Sequence, residues 1–327
     1  MRYRTLGRLG WQVSEVGYGM WGIAGGPGGF SGADHDLAPR CLDEAVELGC
    51  NFFDTAWAYG RGISEQMLGA LLRRHPDRRL YVATKIPPKN MAWPPGPGDT
   101  LDEVFPPEHL VDYTHRSLDN LGVDRIDLMQ LHGWEDRWAG DARWQDTLRE
   151  LKDAGLIQAV GISVNRWEPA NCLRALDTGL VDVVQVIYNI FDQAPEDELF
   201  DRAVRDGVGI IARVPFDEGT LTGGLTADTT FPADDWRATY FGPENFTPSL
   251  DRLARLAPSV PPEYTLPELA LRFVLHHPAV GTVIPGMRTL AHVRANLAVS
   301  DGRTLDPDLV KQLHDHRWDR EPAWWSG

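Results

Sequence analysis

The sequence predicts an α/β fold in which eight parallel strands, each followed by a helix, close into a (β/α)8 TIM barrel. Two observations carry this. Short runs rich in Val, Ile and Leu alternate eight times with segments of helical periodicity, at roughly the 30-residue repeat of a βαβ unit. The runs are apolar almost throughout, which means burial on both faces, as in a parallel sheet. Eight such units in 327 residues fit one closed barrel better than two open sheets, so residues 1–327 are expected to form a single domain.

The expected strands are Glu15–Tyr18, Asn51–Asp54, Leu80–Thr84, Asp127–Leu131, Ala159–Ser163, Val183–Tyr188, Gly209–Arg213 and Gly281–Ile284. Between them, Pro107 and Glu108 open a helix that runs to about Leu121, and Asp141–Ala154 forms another that stops at Gly155. Leu266–His276 and Thr289–Leu297 are also amphipathic. The opening RYRTLGRLGWQVSEV reads as a short N-terminal β-hairpin, turning at Gly7 and Gly10, that closes the barrel bottom. Two connections are too long for simple turns: Pro87–Phe105 after the third strand and Pro215–Pro262 after the seventh. Both follow a strand and so lie at the C-terminal face, where barrel enzymes keep their chemistry.

Composition narrows the function classes. A formal net charge of −15 argues against nucleic acid or an anionic membrane as partner, because both attract basic surfaces. Cys41, Cys50 and Cys172 show neither a CxxC pair nor metal-ligand spacing, so they read as buried thiols of a reducing compartment, and no metal is expected. MRYRTLGRLG has no apolar core of a signal peptide and no stretch is long enough to span a bilayer, which points to the cytoplasm.

Polar residues that end apolar strands are the candidates for chemistry. Asp54 follows NFF, Lys85 follows YVAT and His132 follows LMQL, on the second, third and fourth strands. Neighbouring strands lie about 4.8 Å apart, so the three side chains converge, with Tyr59 in the loop above them. Any one of them has an ordinary structural reading, as a helix cap or a hydrogen-bonded core residue. Three at matching ends of successive strands do not. Carbonyl reduction needs such a set. A phenol titrates near about 10, and a neighbouring ammonium is expected to lower that value while a carboxylate holds the ammonium in place. Tyr59 is then the general acid, Lys85 its tuner, Asp54 the anchor and His132 the group that orients the substrate oxygen.

With these residues in view, NFFDTAWAYG, YVATKI and LMQLHGW resemble the Asp–Tyr–Lys–His blocks of the aldo-keto reductases, and the resemblance runs in order along nearly the whole chain. It implies an NADP(H)-dependent oxidoreductase, with NAD(H) an open alternative, acting on a small carbonyl or alcohol substrate. GYGMWG resembles the nicotinamide-side loop, with Gly19, Met20 and Trp21 beside Asp54. GISVN and VVQVIYN resemble the segments that hold the carboxamide, which implies Ser163, Asn165 and Gln185. IIARVPFDEGTLTG resembles the pyrophosphate loop and implies Arg213, Val214, Pro215, Phe216, Gly219 and Leu221. VIPGMRTLAHVRAN resembles the adenosine 2′-phosphate segment and implies Gly286, Arg288 and Asn296, with Arg288 as the phosphate partner. Two departures stand out. Arg213 occupies a place where many relatives carry an aromatic residue, and Asp217 and Glu218 are odd neighbours for phosphates.

Trp21, Trp57, Trp93 and Trp134 fall in loops at the same face and are expected to wall an apolar substrate pocket. Two motif matches point elsewhere and fail on context. GYGMWG is a literal GxGxxG, but no helix pattern follows before about Asp36; YVATK is a literal YxxxK, but it reads as a strand. Gly25–Gly29 reads instead as a mobile loop over the barrel mouth. The C-terminal HRWDREPAWWSG suits either folding over that mouth or packing on a neighbouring subunit, which leaves a homo-oligomer open. Two other functions use the same residues: a nicotinamide-binding regulatory subunit like the barrel-shaped β subunits of potassium channels, and a lyase or isomerase in which Lys85 forms a Schiff base. The complete four-residue set favours reduction over both.

Overall fold

A computed structural model describes residues 1–26 and 29–323. Pro27 and Gly28 of the glycine-rich loop, and residues 324–327 of the aromatic tail, lie outside the described residues.

Strands β1 (Tyr3–Leu6) and β2 (Trp11–Ser14) form the opening antiparallel hairpin, with Leu6 opposite Trp11. It seals the barrel from below. Gly7 turns at φ 49°, and a Cβ there would sit 2.4 Å from the Gly209 backbone nitrogen, so only glycine permits this approach. Leu6, Trp11 and Val13 join Phe52, Ala83, Leu128, Ala159, Val183, Ile211 and Ile284 in a separate cluster of buried apolar residues, drawn from the hairpin and the barrel strands.

The eight barrel strands follow: β3 (Tyr18–Gly19), β4 (Phe52–Asp54), β5 (Tyr81–Ile86), β6 (Ile126–His132), β7 (Ile157–Ser163), β8 (Val183–Ile187), β9 (Gly209–Arg213) and β10 (Val280–Val283). They pair in sequence order and always in parallel. Bridges from Val16 to Val283 and from Gly19 to Gly286 join the first strand to the last and close the ring. The first strand starts later than Glu15–Tyr18 suggested and ends at Gly19, because Glu15 bonds back to Arg2 and residues 15–17 meet the barrel through the closing bridge and hydrogen bonds to Val283.

The helices wrap the outside with their apolar faces inward. Pro107–Leu121 begins on two prolines and ends at Gly122, and Ala142–Asp153 is capped by the Asp141 side chain. Helices the strand pattern left undelimited include Leu37–Glu47, Ile63–Arg74 and Leu199–Asp206. One helical turn, Trp21–Ala24, starts within the end of GYGMWG, against the expectation of none before Asp36. It is four residues long and so remains unlike the long helix of a dinucleotide fingerprint. The connection after β9 is also less irregular than its length suggested, since it contains the helix Phe246–Leu256.

Candidate active site

The C-terminal ends of the strands surround a cleft of about 1200 Å3. At its floor, Lys85 is fully buried on β5. Its Nζ donates to Asp54 Oδ1 at 2.6 Å, to the Thr55 carbonyl at 2.7 Å and to the Tyr59 hydroxyl at 3.4 Å. Register explains the meeting: Asp54 pairs with Ala83, two residues before Lys85, so both side chains leave the same face of adjacent strands. The tight turn after β4 then folds Tyr59 back over Lys85, with Nζ 4.9 Å from the ring centre.

His132 ends β6, its ring edge-on to Tyr59 at 5.9 Å between centroids. Its Nδ1 is buried without a hydrogen-bond partner. Burial, and then the charges of Lys85 and Arg213, hold its pKa well below the usual histidine value, so the imidazole is neutral at pH 7. Tyr59 departs from expectation. Its pKa is raised, because desolvation in the cleft outweighs the opposing charge of Lys85, and Asp54 adds to the rise. The phenol therefore stays protonated at neutral pH.

Asp54 has further partners. Gln185 Nε2 donates to its Oδ2 at 2.7 Å and Gln130 Nε2 at 3.2 Å. Gln130 was missed from the sequence. The available signal was its place two residues before His132 in LMQLH, a polar residue on the same inward face of an otherwise apolar strand.

Most residues implied for a nicotinamide dinucleotide line this cleft: Gly19, Met20, Trp21, Ser163, Gln185, Arg213, Val214, Pro215, Phe216, Gly219, Gly286 and Arg288. Two of the implied residues lie outside its lining and a third is held by other partners. Leu221 is fully buried in the apolar core behind the loop, and Asn296 is buried away from the cleft on the helix Leu290–Ala298. Asn165 reaches the cleft, but its amide is already engaged: Nδ2 donates to Trp134 O, Glu135 and Glu168, and Oδ1 accepts from Trp134 N. It pins the loop after β6.

Trp21, Trp57 and Trp93 line the cleft. Trp134 does not; it is fully buried against Trp138 and Trp144, where large aromatic area is best sequestered. Phe30 and Trp236, not singled out from the sequence, complete an aromatic group with Trp21, whose ring lies 4.8 Å from Trp236.

The loop after β9 is strained. Val214, Asp217 and Glu218 all adopt positive φ, at 56°, 45° and 56°. The two acidic side chains have cations of their own. Glu218 lies 2.7 Å from Arg166, and Asp217 pairs at 2.7 Å with Arg320 of the C-terminal tail, which also pairs with Asp192. The described part of the tail thus binds the segments after β8 and β9.

A dinucleotide fits the donors and the space. The cleft exceeds the size that a small substrate alone requires, and polar Ser163 and Gln185 stand on neighbouring strands in register with His132. Arg288 donates from Nη2 to the Ser31 and Gly32 carbonyls, which sets its guanidinium on the cleft wall.

A phenol, an ammonium and a carboxylate in contact beneath a dinucleotide-sized cleft define the class as a barrel enzyme equipped to move protons. Comparison with known proteins gives the family. The model of the aldo/keto reductase family matches residues 15–317, and the chain belongs to that family of carbonyl-reducing oxidoreductases. It is similar to the NADH-specific methylglyoxal reductase of Escherichia coli, 28% identical over 322 residues covering 95% of this chain and 97% of the relative. It is also similar to an NADP(+) aldo-keto reductase of Schizosaccharomyces pombe, 27% identical over 314 residues, 93% of this chain and 88% of that one. Among solved structures, the holo form of an aldo-keto reductase from Bacillus halodurans superposes with a TM-score of 0.77 at 26% identity, covering 100% of both chains. Among the described residues no helix is long and apolar enough to cross a membrane.

Proposed function

We propose that the chain reduces the carbonyl of a small aldehyde, ketone or sugar to an alcohol with Tyr59 as general acid, using NADP(H) in preference to NAD(H). The contact chain from Asp54 through Lys85 to the Tyr59 hydroxyl carries this reading. When bound, the dinucleotide supplies the hydride. Tyr59 gives its proton to the substrate oxygen. Lys85 then stabilises the phenolate that remains, at no cost in reorganisation because Asp54 and the Thr55 carbonyl already fix its Nζ. Neutral His132 beside Tyr59 orients the same oxygen through a ring nitrogen. The reverse oxidation uses the same residues.

Ser163 and Gln185 would grip the carboxamide, Arg213 would stand beside the nicotinamide, the loop Val214–Gly219 that follows it would lie along the pyrophosphate, and Gly19, Met20, Trp21 and Gly286 would complete the cofactor wall. Arg288 would pair with a 2′-phosphate, which supports NADP(H); the NADH-specific relative weighs the other way. Trp21, Trp57 and Trp93 would hold the substrate. We assign the activity to one domain spanning the chain, working in the cytoplasm, where three buried unpaired cysteines are at home.

The test is consumption of NADPH and NADH against a panel of aldehydes, ketones and sugars, with Tyr59→Phe beside the wild type. Loss of most of the rate in the variant, with cofactor still bound, is the expected result. Binding without turnover in either protein would replace this reading with that of a nicotinamide-binding subunit.

A further inference from the structure

Most charges in the cleft are paired. Lys85 is bonded to Asp54, Arg166 lies 2.7 Å from Glu218, and His132 is held neutral. Arg213, on the cleft wall above these groups, is the exception. Its Nη2 donates to the Val164 carbonyl at 3.0 Å, its Nε is buried without a partner, and among the described residues no carboxylate lies within ion-pair distance of it. Burial and the adjacent Arg166 lower its pKa to about 10 against the more distant pull of Glu218 and Asp54, so it still carries its charge at neutral pH.

Its position fixes what that charge meets. The proton and the hydride arrive at the two ends of one carbonyl, so on the function proposed above the nicotinamide ring lies beside Tyr59 and His132. Arg213 ends β9 one same-face step nearer the mouth, since Gln185 pairs with Ile211 and Ile187 with Arg213, and from there its charge acts on both His132 and Tyr59. The carbonyl that holds it belongs to Val164, next to Ser163, which is in register with His132 on one side and Gln185 on the other. The oxidised nicotinamide is a cation and the reduced ring is neutral. A guanidinium with no ion-pair partner on the cleft wall repels the first and is indifferent to the second.

We propose that Arg213 sets the redox preference of cofactor binding, favouring the reduced dinucleotide over the oxidised one by keeping an unpaired positive charge beside the nicotinamide ring. The protein is thereby poised to run as a reductase, holding the reductant and shedding the spent cofactor. An aromatic side chain at this position would offer a face to stack on but would not tell the two redox states apart by charge.

The inference rests on the nicotinamide reading, and the experiment separates the two. Dissociation constants of NADPH, NADP+, NADH and NAD+ are measured by titration calorimetry on the wild type, Arg213→Gln and Arg213→Lys, with melting curves to show that each variant is folded. The wild type should hold the reduced form more tightly. Arg213→Gln should shrink the reduced-to-oxidised preference by about tenfold or more, chiefly by improving oxidised binding, and Arg213→Lys should keep it. An unchanged preference in Arg213→Gln overturns the proposal. So does an equal loss for both redox states, which would assign the guanidinium to the cofactor's phosphates. If no dinucleotide binds the wild type, the nicotinamide reading itself is wrong and this inference falls with it.

Discussion

Lys85 and Asp54 form an ion pair 2.6 Å long in which Lys85 is fully buried and Asp54 nearly so. Removing two charges from water is expensive, and the pair persists because its remaining bonding capacity is used: Lys85 also donates to Thr55 O, and Asp54 also accepts from Gln130 and Gln185. Lys85→Met strands a buried carboxylate. It should cost about 3–5 kcal/mol of stability, and Lys85→Met/Asp54→Asn should recover part of that loss without recovering activity. Urea unfolding of the two variants checks this; a loss below about 1 kcal/mol in the single variant would mean that Asp54 is well accommodated by the two glutamines alone.

Tyr59 and His132 fix the pH dependence. Desolvation raises the Tyr59 pKa above its ordinary value of about 10, against the pull of Lys85, so the acid form persists across neutral pH. Reduction should be flat from about pH 6 to 9 as far as this group is concerned and fall only beyond about pH 10, whereas oxidation, which needs the phenolate, should rise over the same alkaline range. His132 titrates well below its ordinary value of about 6.5, so it adds no limb near neutrality. A step in kcat/KM centred near pH 6.5 would contradict the neutral imidazole.

The same histidine links stability to pH. Its folded pKa is depressed, so below about 6.5 the unfolded chain takes up a proton that the folded chain refuses, and stability falls as pH drops through that value. His109, buried against the Pro87 carbonyl, shifts in the same direction through desolvation. Melting temperature should therefore decline from pH 7 to 6, and less steeply in His132→Asn.

Much of the site could be read from strand ends, because a polar residue closing an apolar run has few other reasons to be there. Asp54, Lys85 and His132 met that description. Gln130 did not, since it sits inside its run, where it donates to the buried Asp54 carboxylate and accepts from Gln185. Trp134 misled for the opposite reason: loop position gave no sign that the chain turns it into the core beside Trp144. Arg320 was beyond reach altogether. Its partners Asp192 and Asp217 stand 128 and 103 residues away, and no local pattern encodes a contact of that span.

That contact carries its own prediction. Arg320 is almost fully buried, donates to both Asp192 and Asp217, and lies 4.5 Å from the ring centres of Trp167 and Trp318. It clamps the tail onto a loop that holds Asp217 and Glu218 at positive φ. Arg320→Ala leaves two buried carboxylates facing each other and should cost about 3–5 kcal/mol, with faster proteolytic cleavage in the loop between Val214 and Leu225 than elsewhere. Cleavage confined to the tail would show that the loop keeps its shape without the clamp.

Arg288 does two jobs that one pair of measurements can separate. Its Nη2 holds the Ser31 and Gly32 carbonyls, so it shapes the loop at the cleft edge, and its guanidinium remains on the cleft wall where a 2′-phosphate would be met. Burial and the nearby charge of Arg237 lower its pKa, and an arriving dianion would relieve that repulsion. Arg288→Gln should weaken NADPH binding by about tenfold or more while changing NADH binding little, since only the first carries the phosphate. Equal losses for both cofactors would mean that the residue acts through the loop it holds, and the NADP(H) preference would then need another source.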